Sequence, residues 1–112
     1  MCLAALASCG NRAPKSELQK KVDAYAVFQI GSPYMEGISD NGKEVLNLFR
    51  KAADEADNIF WQQTFGDKNA IMSLPDGAAK DLALINYGPW DRMDNNAPFI
   101  EGYGERPADA NF

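Results

Sequence analysis

Three carboxylates fall within four residues at Asp54, Glu55 and Asp57, and a second polar run, Asp91 to Asn96, reads Asp-Arg-Met-Asp-Asn-Asn. Paired carboxylates do general acid–base work when burial or a like-charged neighbour moves their pKa values apart. The sequence around the first group supplies neither, and its spacing suits the solvated side of a helix. Oxygen ligands at alternate positions would suit calcium. Alternation from Asp91 meets Met93, so the second run reads as a turn, where Asp and Asn side chains bond the nearby backbone. The chain has no histidine, which excludes imidazole triads, most catalytic zinc sites and histidine proton shuttles built from these residues. One stretch remains: "NYGPWDR", Asn86 to Arg92. Either Trp90 plugs the core while Asp91 pairs with Arg92 or caps a backbone group, or Tyr87, Trp90, Asp91 and Arg92 touch a ligand in a cleft.

These candidates need a scaffold, and 112 residues make one small domain. With 46% hydrophobic and 24% charged residues, the composition is that of a globular chain. A net charge of −5 with scattered Lys and Arg argues against nucleic acid as a partner. The pattern is mainly α. Leu18, Val22 and Tyr25 have helical spacing within Glu17 to Phe28, and Gly31 to Gly37 reads as a turn. Ser39 to Phe65 is the strongest element. Ser39, Asp40 and Asn41 can all cap it, Asn41 and Glu44 have capping-box spacing, and Gly66 stops it. Val45, Phe49, Ala52, Ala56 and Phe60 form one apolar face, expected to be buried; Trp61 and Phe65 are further core candidates. On that expectation Phe49→Ala costs about 3–5 kcal/mol and unfolds the chain. Two short helices follow, broken at Pro75, with Asp76 capping the second and Gly88-Pro89 ending it. The C-terminal segment is irregular. No Gly-rich loop opens a strand–helix unit, so a dinucleotide-dependent reductase has no support.

The chain opens "MCLAALASCGNRAPKS". "LASC", Leu6 to Cys9, resembles the lipobox of bacterial lipoproteins, which implies a partial signal peptide over 1–8, lipidation at Cys9 and a tether over 9–16. That places the protein in a bacterial cell envelope, held to a membrane by lipid on Cys9. With Cys2 removed and Cys9 acylated, neither cysteine is left for a disulfide or a metal.

The segments from Tyr25 to Lys68 and from Leu84 to Phe112, above all "INYGPWDR" and "PFIEGYGERP", resemble the N-terminal region of bacterial members of the dipeptidyl peptidase III family of zinc metallopeptidases. The resemblance implies that residues 17–112 begin the lobe that lacks the metal, within a larger two-lobed α+β fold. It implies an exopeptidase that releases dipeptides from the N-terminus of peptides, with zinc in the full-length enzyme. These residues offer that zinc no ligand and supply no catalytic group. The alternative expectation is a small envelope lipoprotein acting as a non-catalytic binding module. Behind a complete leader, Cys9 is expected to take up a palmitate analogue in cells. Equal labelling of wild type and Cys9→Ser would show that the site is wrong.

Overall fold

The computed structural model describes residues 14–29, 31 and 33–110. The leader, Cys9 and the first part of the tether lie outside them. Among the described residues the fold is mainly α, in the order α1 (Glu17–Asp23), a 3-10 turn (Pro33–Gly37), α2 (Asp40–Thr64), α3 (Lys68–Met72), α4 (Ala78–Asn86), β1 (Trp90–Asp91) and β2 (Ala97–Pro98).

Helix α1 starts where Ser16 Oγ accepts the Gln19 amide. It ends at Asp23, five residues short of the expected Phe28. Leu18, Val22 and Tyr25 are half-buried, and α1 lies against α4. Beyond them Val27 and Phe28 are 96% and 83% exposed. A further turn would have nothing to pack on, and so short a helix is marginal without packing.

Helix α2 is capped by Ser39 alone, whose Oγ accepts the Gly42 amide; Asp40 and Asn41 lie inside the helix. It ends at Gly66, where φ is +90° and the amides of Phe65 and Gly66 both bond the Trp61 carbonyl. Its 25 residues span about 37 Å.

The expected buried face of α2 is corrected by the structure. Val45 and Phe49 are 50% and 70% exposed, Ala52 and Ala56 are exposed, and Phe60 is half-buried. The buried cluster sits at the other end, where Trp61 meets Ile71 of α3 and Ala83 of α4. Phe65, Leu74, Tyr87, Phe99 and Ile100 pack around it. Length explains the difference. The helices that pack there have 5 and 9 residues, about 8 and 14 Å, so they cover only the last turns of α2.

Asp67 caps α3 by accepting the Ala70 amide. Helix α4 begins at Gly77 with no side-chain cap, and the expected cap, Asp76, bonds Lys80 instead. Tyr87 ends α4 in the left-handed region, φ +56° and ψ +37°. Gly88 follows at φ +153°, where an added Cβ would come within 3.3 Å of Phe65 Cβ. The chain then doubles back, with β1 and β2 antiparallel and Trp90 opposite Pro98. Asn95 and Asn96 take positive φ in the turn between them, which asparagine tolerates.

The distribution of burial separates two substitutions. Trp61→Ala is expected to cost about 3–5 kcal/mol by opening the core. Phe49→Ala is expected to stay within about 0.5 kcal/mol of wild type, as exposed positions do. Denaturant melts of both variants, run dilute enough that copies of the chain stay apart, check this, and a large loss at Phe49 there would overturn the placement.

Candidate functional site

Two clusters of ionisable side chains hold the small core together. The first joins α1 to β1 and the turn that follows it. Asp91 is only 3% exposed. Its Oδ2 accepts from Lys21 Nζ at 2.7 Å, across 70 residues of sequence, and its Oδ1 accepts the Met93 amide at 3.0 Å. Lys21 also donates to Asp94 at 2.9 Å. The bond to Asp91 first, and then that to Asp94, raise the Lys21 pKa well above the ordinary lysine value, so the ammonium is held charged. Lys21, Ala24, Tyr25, Asp91, Met93 and Asp94 line a recess of about 410 Å³.

The second cluster ties α2 to α3 and α4. Tyr87 OH donates to Asp57 at 2.7 Å, and Lys68 Nζ donates to the other Asp57 oxygen at 3.0 Å and to Asn58 at 3.1 Å. The Tyr87 bond, and then Lys68, hold the Asp57 carboxyl below its ordinary pKa; Asp57 in turn raises that of the Tyr87 phenol. The Tyr87 ring meets Phe60 edge-on at 4.7 Å and Trp61 at 5.0 Å. Arg92 lies 5.7 and 5.6 Å from the Phe60 and Tyr87 ring centres, and burial there lowers its pKa. Asn86 fixes that arginine: its Oδ1 accepts the Arg92 amide, and its carbonyl accepts from the guanidinium.

Of the four residues expected at a cleft, only Asp91 faces the recess. Trp90 is buried and donates through Nε1 to the Gly104 carbonyl at 2.9 Å, which is the plug that its sequence context suggested. Tyr87 and Arg92 stack in the second cluster. Sequence reasoning missed Lys21, Tyr25 and Asp94, because a pair formed across 70 residues leaves no local spacing. It also placed Asp57 on a solvated face, whereas Asp57 holds two partners. Among the described residues no three His, Cys, Asp or Glu side chains converge as a metal-holding group.

Acid should loosen the second cluster. The folded pKa of Asp57 is lowered, so its contribution is in place above the unfolded value of about 4 and lost as pH falls through the folded value. Asp57→Asn is therefore expected to melt below wild type at neutral pH, with the gap closing on acidification. A gap that stays constant with pH would sink this assignment.

No family model matches the chain, and no solved structure matches it. Nudix hydrolase 3 of Arabidopsis thaliana is 28% identical over an alignment of 92 residues that covers 74% of this chain and 12% of that protein. The chain thus spans about an eighth of the relative's length. This finding overturns the dipeptidyl peptidase III reading, and with it the metallopeptidase function that the resemblance implied. The alternative of a non-catalytic envelope lipoprotein gains nothing from it either. What the chain is similar to is a hydrolase named for Nudix chemistry.

Proposed function

We propose that the chain serves as a helical segment of a hydrolase of the kind for which Nudix hydrolase 3 of Arabidopsis thaliana is named, and that it shapes the enzyme rather than holding the reacting groups. The observation that carries this reading is the 28% identity over 92 residues. The arrangement of acids supports the structural role. A hydrolase needs a general base, or a metal-held water, beside the bond that it breaks. Asp57 is held ionised by Tyr87 and Lys68, and Asp91 is buried against Lys21. Both carboxylates fasten one element to another: Asp57 joins α2 to α3 and α4, and Asp91 joins β1 to α1.

Exchange of segments with the relative tests the proposal. The matching 92 residues of the Arabidopsis protein are either removed or replaced by those of this chain. Replacement is expected to keep turnover within about tenfold, roughly 1.4 kcal/mol of barrier, and removal to abolish it. In the replaced protein, Asp91→Asn is expected to lower the melting temperature while the folded enzyme keeps its kcat. Full turnover after removal, or a folded replacement with no turnover, would overturn the reading.

A further inference from the structure

The exposed half of α2 carries a pattern that the fold leaves unused. Val45, Phe49, Ala52, Ala56 and Ile59 follow one another by four, three, four and three residues. All five are exposed. That is a repeat of 3.5 residues, the period of a coiled-coil seam, and it drifts away from the 3.6-residue line that leads to Phe60 and the core. Val45, Leu48, Phe49 and Ala52 also line a shallow apolar recess on this side of the helix.

We propose that this seam pairs with the same seam of a second copy of the chain, antiparallel, about a two-fold axis between Arg50 and Lys51. Two features favour that occupant. The first is volume. With the axis there, Phe49 of each copy lies opposite Ala52 of the other, and Val45 opposite Ala56. Every central layer sets a large side chain against a small one, so the helices can approach closely without a void or a clash. A parallel pair would stack Phe49 on Phe49 and leave gaps at the alanines. The second is charge. Lys43, Arg50 and Lys51 outweigh Asp40 and Glu44 in the first half of the helix, whereas the second half carries Asp54, Glu55 and Asp57 with no base. Antiparallel pairing lays the positive half of one helix along the negative half of the other and opposes the two helix dipoles. The pairing does not rest on the hydrolase reading.

Cross-linking of the full chain tests it, in a background where Cys2 and Cys9 are replaced by Ser. A mixture of Val45→Cys and Ala56→Cys chains is expected to give a disulfide-linked heterodimer, and either variant alone to give little. Sedimentation of the unmodified chain should show a dimer that Phe49→Glu dissociates at least tenfold more readily, with the far-UV spectrum unchanged. Homodimers of each single variant would indicate a parallel pair and overturn the proposal. So would a wild-type chain that stays monomeric at about 100 μM, a concentration at which even weak helix pairs of micromolar Kd associate.

Discussion

Trp61 is the point at which the chain closes on itself. Its indole is covered by Ile71 and Ala83, borders Tyr87, and lies near the Lys68 ammonium. Four elements converge there because Gly66 turns the chain sharply after α2 and Tyr87 turns it again after α4. Between those turns the polypeptide is coiled into two short helices that stay beside the last turns of α2. The position of the core and the bareness of half of the long helix are thus one constraint seen from two sides. A helix of about 37 Å cannot be covered by partners of 8 and 14 Å.

The ion pairs make sense on that core. Buried ion pairs are weak evidence for stability in themselves, since desolvation offsets much of the attraction. Their value here is positional. Lys21 is the bond by which α1, otherwise a seven-residue helix with no buried residue, is fastened to β1. Asp57 does the same between α2 and the two elements that follow it. Asp91, shielded by protein, selects the Lys21 ammonium, and the half-exposed Asp57 takes Lys68 together with the Tyr87 hydroxyl; the chain path follows those choices.

Much of the fold was legible in the sequence, and the reasons are local. Ser39 as a cap, Gly66 as a stop and the break at Pro75 are decided by residues within a few positions of one another. What was not legible depended on partners far along the chain. Periodicity names the apolar face of α2 but says nothing of how much of it finds cover, so Val45 and Phe49 were assigned to a core that does not reach them. Asp76 looked like a cap, and Lys80, four residues on, took its carboxylate instead. The site suffered most: Tyr87, Trp90, Asp91 and Arg92 were grouped because they are adjacent, yet they point into different clusters. The peptidase resemblance, carried by the segments from Tyr25 to Lys68 and from Leu84 to Phe112, gives way to the similarity to Nudix hydrolase 3.

Helix α2 is continuous in geometry but uneven in how firmly it is held. Its last turns are locked by Trp61, Thr64 and the hydroxyl bond from Thr64 to the Tyr87 carbonyl. Its first turns have only their own amide ladder and a few surface ion pairs, such as Arg50 with Asp54. Local opening free energy follows packing, so in a single copy the helix should unravel from Ser39 while its far end stays native. The long helix then works as a graded element, soft where it projects and stiff where it is rooted. Any surface that lies down on the projecting part converts that softness into order, and the energy of doing so is drawn from the contact itself.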